Sequence, residues 1–481
     1  MNNTLDLSAS DFHSLLQKGN ELVLERFEQM DASKAYHYFS QQEIESWFDE
    51  ALPEEGMDQE EVLDMVNDRV LKTATGNLGP HMYAYVMAGG TQMSIVAEQL
   101  AATINQNVGK WHLGPAINEI EKRIVQWGAQ MIGYSENVGG VLVSGGSSAN
   151  LAGLTVARNI FFEDQNIREV GLFGLKPFTV YASKEVHGCV DKSLDLLGIG
   201  LNQLRKIEVN ADFTIDLNAL RSQIETDIKQ GYTPFCLIGS AGTVNTGAID
   251  DLAALGHLAK EYSMWYHVDG AYGGLAAMLP SLKAKYQGLE MADSVAVDFH
   301  KWLYQPFEAG CVMVKNWQIL KRAYFKKADY LDTSLEGVGR LDFNEHYFQL
   351  SRNAKALKIW MSVKAYGMTR IREMIQKDID LTHYLAEQIE SSPDFEIKSR
   401  SNLAVACFRY VGDIEEEQEI ARINQELIPV LERDGRVFIT GTRLNGEFVL
   451  RACIINHRKQ ESDIDFLLKV IRELAQNLQT P

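Results

Sequence analysis

VDFHKWLYQPFEAG, residues 297–310, sets His300 and Lys301 between a strand-like run of small residues and an apolar turn. A lysine among buried neighbours is either a costly hidden charge or an amine placed to react. The flanking sequence decides between them. From about Gly139 onward, short β-branched runs alternate with helical ones: GGVLVSGG then SSANLAGLTVARNI, FTVYAS then CVDKSLDLLG, FCLIGS then IDDLAALGHLAKEY, and finally WYHVDG. That alternation predicts βαβ units and an α/β fold with a mostly parallel sheet, whose ligands lie beyond the carboxyl ends of the strands. Lys301 follows one such end.

The other strand ends carry chemistry of their own. GGVLVSGGSSANL places Gly145 and Gly146 at a turn, with Ser147 and Ser148 opening the next helix, where free N–H groups and the helix dipole favour an anion. Taken alone it is also an ordinary capped helix after a glycine turn. It matches neither GxxxxGK[ST] nor GxGxxG, which disfavours a nucleoside triphosphate or a Rossmann dinucleotide. WYHVDGAYGG ends on Asp269, either a helix cap or a carboxylate that keeps a pyridine nitrogen protonated. His187, in ASKEVHGCVDKS, is a satisfied structural imidazole or a flat plate for an aromatic ring, and Thr243, in GSAGTVNTGAID, is a turn hydroxyl or a ligand. A strand-end lysine, a strand-end aspartate, a Gly/Ser anion cup and a histidine plate together are what pyridoxal phosphate requires. Each is weak singly; their order and coincidence are not.

Outside this core, LLQKGNELVLERFEQM reads as helical, and Ser40 to Glu43 makes a capping box before the apolar face of Ile44, Trp47, Phe48 and Leu52. That face calls for a partner. After Leu357, a long helical run followed by FEIKSRSNLAVACFRYV, a Glu/Ile-rich helix and VFITGTRLNGEFVLRACII predicts a separate α+β domain with an antiparallel sheet. The expected division is an N-terminal helical segment over 1–80, a large cofactor-binding domain over 81–360 and a small domain over 361–481. A net charge of −19 with no basic cluster argues against nucleic acid. Five scattered cysteines with no CxxC fit a reducing compartment, so the cytoplasm is expected, and no metal site is indicated. Neither a signal peptide nor a membrane span is expected from the polar N-terminus and the absence of long apolar runs.

SGGSSANL, the isolated His187, GTVNTGAIDDL, HVDGAYGG and DFHKWLYQPFEAG, in that order, resemble the pyridoxal-phosphate-dependent group II amino-acid decarboxylases, which include aromatic-amino-acid, glutamate, histidine and diaminobutyrate decarboxylases. The resemblance implies a fold-type-I, transferase-like architecture, with a mostly parallel central sheet of the seven-stranded type flanked by helices. It also implies a homodimer clasped by the N-terminal helices, with active sites near the interface. Lys301 would carry the cofactor as an internal aldimine, Asp269 would pair with the pyridinium nitrogen and His187 would stack on the ring. Ser147, Ser148 and His300 would hold the phosphate, while Thr243 and Ala271 would line the cofactor's edge and opposite face. The implied reaction is decarboxylation of an L-amino acid to its amine and CO2 through an external aldimine and a quinonoid.

Three departures from the family's pattern matter. Asp298 stands where many relatives have asparagine near the phosphate, and a carboxylate there would repel a dianion unless protonated or paired. The tyrosine that reprotonates the substrate carbon aligns without gaps on Phe343 and, with a short gap, on Tyr347, both in GVGRLDFNEHYFQLSRNAKALKIW. Tyr347 implies a plain decarboxylase and Phe343 an aldehyde-forming relative that consumes O2. Asn107 and Gly109 occupy the places of the bulky residues that clamp the ring in aromatic decarboxylases, which argues against an identical aromatic pocket, and Tyr83, Tyr85, Val86 and Met87 are candidates to line the substrate site. A carbon–carbon lyase of the sphingosine-phosphate type and a catalytically silent scaffold dimer are the competing readings.

Overall fold

The computed structural model describes residues 5–326 and 340–479. Eleven strands lie among them. The large sheet is built from β1 (Gly139–Val143), β2 (Phe178–Ser183), β3 (Leu204–Ile207), β4 (Thr233–Ser240), β5 (Trp265–Gly270), β6 (Ser294–Asp298) and β7 (Gly310–Val314), in the order β1-β7-β6-β5-β4-β2-β3. Neighbours from β6 across to β3 pair in parallel, whereas β7 runs antiparallel to both β6 and β1. With β7 reversed between them, β1 and β6 point the same way. The carboxyl ends of β1, β2, β4, β5 and β6 therefore share one edge of the sheet.

Helices cover both faces, which is why β1, β2, β5, β6 and β7 are buried at every residue and read as continuous apolar runs. The helix Gly146–Phe161 packs against β5, β6 and β7. Glu121, on the helix Pro115–Ile132, accepts the Leu142 N–H of β1 at 3.0 Å and pairs with Arg352, whose Nη2 also donates to Leu142 O at 2.7 Å. This buried pair clamps β1 just ahead of the Gly145–Gly146 turn.

Two compact units make up the chain: one is Val86–His383 with Ser399–Cys407, and the other is Met1–Tyr85, Tyr384–Lys398 and Phe408–Pro481. The second sheet is ordered β10 (Thr440–Leu444), β11 (Glu447–Cys453), β9 (Val405–Tyr410) and β8 (Phe395–Arg400), with β10 antiparallel to β11. At the N-terminus the capping box forms as the sequence predicts, Ser40 Oγ accepting from Glu43 N while Glu43 Oε2 accepts from Ser40 N. The helices Ala9–Glu28, Gln41–Phe48 and Gln59–Val66 bury none of their residues. Phe48 and Leu52 are 51% and 86% exposed, so the predicted apolar face is open in the single chain.

Candidate active site

Lys301 sits in the one-turn helix Phe299–Trp302 that follows β6, and its Nζ lies 2.9 Å from Asp298 Oδ2. Its flanks explain the sequence WLY. Trp302 Nε1 and Tyr304 OH both donate to Asp378 Oδ2, at 3.2 and 2.7 Å, on the buried side of the helix Ala356–Glu390. Two aromatic anchors on one carboxylate fix the turn while leaving the lysine side chain 19% exposed.

His300 is buried, and its Nδ1 accepts the Ala309 N–H at 3.2 Å. The neutral ring therefore carries its proton on Nε2, 3.6 Å from Asp298 Oδ2. Burial holds His300 below the usual histidine range, although Asp298 opposes the shift. The Asp298 carboxylate is thus paired with a lysine and faced by an imidazole. Its Oδ1 is buried with no hydrogen-bond partner.

Glycines make the space. A Cβ on Gly146 would come within 2.8 Å of both Ala271 Cβ and Asp298 Oδ2, and one on Gly310 within 2.5 Å of Gly145 Cα. The Gly145–Gly146 turn, Ala271, Asp298 and His300 therefore close on one another beneath the helix that begins at Gly146. Ser147 is exposed there, and Ser148 shares a 2.8 Å hydrogen bond with Ser144. Exposed hydroxyls and unpaired N–H groups at a helix start suit an anion.

Asp269, 9% exposed at the end of β5, accepts Ala271 N–H at 3.1 Å. His187 follows β2 with its ring exposed and its Nδ1 accepting Cys189 N–H at 3.1 Å, which leaves its faces free. Burial pushes the Cys189 thiol up to about 12, with Asp269 and Asp298 raising it and Lys301 lowering it, so one side chain feels all three charges. Thr243 is engaged in its own turn, its Oγ1 accepting Ala248 N–H and meeting Thr246 Oγ1 at 2.9 Å. The residues present fit pyridoxal phosphate: an amine, a carboxylate, an exposed ring and a glycine-floored anion seat.

Other sequence candidates lie elsewhere. Phe343 and Tyr347 are buried in the apolar core, Phe343 under the Arg352 guanidinium and beside Trp317, Tyr347 between Tyr324 and Phe348. The start of the segment quoted for them, residues 337–339, lies outside the described residues. Asn107 and Gly109 build a turn: Asn107 Oδ1 accepts from Gly109 N and Arg352 N, and a Cβ on Gly109 would strike Leu350 O at 2.0 Å. Tyr83 is fully buried, whereas Tyr85 is 58% exposed; Val86 is buried and Met87 half-buried. Missed by the sequence reading were Asp378, Asn150 and His267. The last two stand inside SSANL and WYHVDG, but an asparagine in a helix and a lone histidine in a strand give no signal until their partners are known.

The family described as pyridoxal-dependent decarboxylase conserved domain matches residues 41–411. An aromatic-L-amino-acid decarboxylase of Bacillus atrophaeus is 31% identical over 99% of this chain and 98% of its own. A phenylacetaldehyde synthase of Arabidopsis thaliana is 29% identical over 89% of each. The structure of Oryza sativa TDC with PLP and tryptamine, 23% identical, superposes with a TM-score of 0.92 over 99% of this chain and 100% of that one, and so shares the fold.

Proposed function

The chain belongs to the pyridoxal-dependent decarboxylase family, enzymes that remove the carboxylate of an amino acid, and we propose that Lys301, Asp269 and His187 are the residues that hold and steer its cofactor. Pyridoxal 5'-phosphate, when bound, supplies an aldehyde for the substrate's amine and a ring that accepts the electrons released with CO2. The observation that carries the assignment is the meeting of Lys301, Asp298, His300 and the Gly145–Gly146 turn at the shared edge of the strands.

Each residue has a defined task. Lys301 is the amine that holds the cofactor, set in place by Asp298 and by the Trp302 and Tyr304 anchors. The Asp269 carboxylate favours a proton on the ring nitrogen, because a nearby negative charge raises a base's pKa. His187 lays its exposed ring against the cofactor's plane. Ser147, Ser148 and His300 take the phosphate, and Thr243 and Ala271 bound the edge and the far face. Tyr347, whose phenol burial pushes up to about 12, keeps its proton at neutral pH as a donor must.

The aromatic-L-amino-acid decarboxylase relative supports an aromatic L-amino acid as the substrate to test first, and the phenylacetaldehyde synthase supports an aldehyde as the alternative product. We further assign a homodimer, since three N-terminal helices with exposed apolar faces and no buried residue need a partner surface. Five buried cysteines without a disulfide fit the cytoplasm. No described helix is long and apolar enough to cross a membrane. The test is an assay of aromatic L-amino acids for CO2, amine and hydrogen peroxide with wild type and Lys301→Ala. CO2 and amine without peroxide, lost in the variant, is the expected result. CO2 with equal peroxide would make the protein an aldehyde-former. A fully active Lys301→Ala would remove the assignment.

A further inference from the structure

Beneath the anion seat runs a buried line of hydrogen bonds that none of these tasks uses. Trp265 Nε1 donates to Ser294 Oγ at 2.9 Å, Ser294 Oγ meets His267 Nδ1 at 2.8 Å, and His267 Nε2 meets Asn150 Oδ1 at 2.8 Å. Asn150 Nδ2 then donates to Gly146 O at 2.9 Å and to Cys189 Sγ at 3.4 Å. Asn150, His267 and Ser294 are completely buried.

The Asn150 end fixes the proton on Nε2. A peptide carbonyl only accepts, so Asn150 turns Nδ2 to Gly146 O and Oδ1 to the ring, and His267 Nε2 must donate to it. In the neutral ring Nδ1 is then the acceptor, and Ser294, which accepts from Trp265, gives it a hydrogen. Asn150 cannot flip, because its Nδ2 must face the Gly146 carbonyl. Room for the imidazole comes from Gly153, three residues along the same helix face, where a Cβ would stand 2.6 Å from His267 Cε1.

Three parts of the site meet at this amide. Gly146 opens the helix of the anion seat, Cys189 opens the helix after His187, and His267 stands two residues before Asp269 on the same face of β5. Asp269 is the charged group acting on His267; the Cys189 thiol stays neutral. Burial outweighs Asp269 and lowers His267 to about 4. A cationic imidazole here would compete with the cofactor for the Asp269 charge.

We propose that Asn150 and His267 are positioning residues, which hold the anion-seat helix and the Asp269 strand in register and keep the imidazole neutral so that Asp269 serves the ring nitrogen alone. This rests on the role given to Asp269 above. The test uses holoenzyme labelled with 15N-histidine, the His267 signals being assigned by their loss in His267→Gln. Wild type should show a neutral ring protonated on Nε2 from about pH 5.5 to about pH 8. Asn150→Asp puts a carboxylate against Nε2, so His267 should become doubly protonated. The pH at which the bound cofactor's absorbance changes should then shift, and pyridoxal phosphate should bind roughly tenfold more weakly. A wild-type His267 that titrates in that range, or holds its proton on Nδ1, overturns the proposal without any variant. So does an Asn150→Asp holoenzyme whose titration and affinity match wild type. Failure confined to these readouts, in a wild type that binds cofactor through Lys301, sinks this inference alone. A wild type that takes up no cofactor sinks it together with the functional assignment.

Discussion

Replacing Arg352 by methionine would remove half of the buried ion pair that clamps β1. The Glu121 and Arg352 side chains are 0% and 3% exposed, and Glu121 Oε2 has no partner of its own. With the guanidinium gone, the Glu121 charge keeps only the Leu142 N–H at 3.0 Å. A buried charge left uncompensated costs ~3–5 kcal/mol, while methionine fills much of the arginine stem's volume. Changing Glu121 to leucine in the same chain removes the stranded charge. What remains is a Leu142 N–H without an acceptor, ~1–3 kcal/mol, and a Leu142 carbonyl without its Arg352 donor, a loss that Arg352→Met alone already carries. The double variant should therefore be more stable than Arg352→Met, with a coupling of roughly 2 kcal/mol. Apparent guanidinium midpoints of wild type, both single variants and the double, at one protein and cofactor concentration, measure it. A double variant no more stable than Arg352→Met would refute the reasoning, as would an Arg352→Met within about 0.5 kcal/mol of wild type.

Three further outcomes follow from the same geometry. His267, lowered to about 4 in the fold, returns to the ordinary histidine value of about 6.5 on unfolding, so the unfolded chain binds the extra proton first. Its neutral form therefore contributes on the order of 3 kcal/mol above about pH 6.5, lost as pH falls towards 4, and this part of the acid slope should be missing from His267→Gln unfolding curves. Gly146→Ala would drive a methyl to 2.8 Å from Asp298 Oδ2 and Ala271 Cβ, so cofactor affinity by equilibrium dialysis should fall at least roughly tenfold while the far-UV spectrum stays unchanged. Tyr347→Phe tests the proton donor: the variant should turn amine release into peroxide release, and a variant that keeps amine as its product would remove that role.

Much of the fold was legible because buried parallel strands leave apolar runs and glycine-rich ends. GGVLVSGG, FTVYAS, FCLIGS and WYHVDG each became a strand whose end carries a site residue. The reversed direction of β7 was not legible, since a strand buried on both faces reads alike either way. The cation nearest Asp298 was not legible either: Lys301 lies three residues away but is brought to 2.9 Å only by the Phe299–Trp302 turn. The close approach of Gly109 to Leu350 O was not legible, because only the fold brings those two together. Asn150 and His267 escaped for the same reason: their meaning is a partner 117 residues away.

The central claim, that the Lys301 amine holds the cofactor, is most directly tested by reducing the purified holoenzyme with borohydride and mapping its peptides by mass. The account predicts a phosphopyridoxyl group on the peptide containing Lys301. The same group on another lysine, or on none, would contradict it.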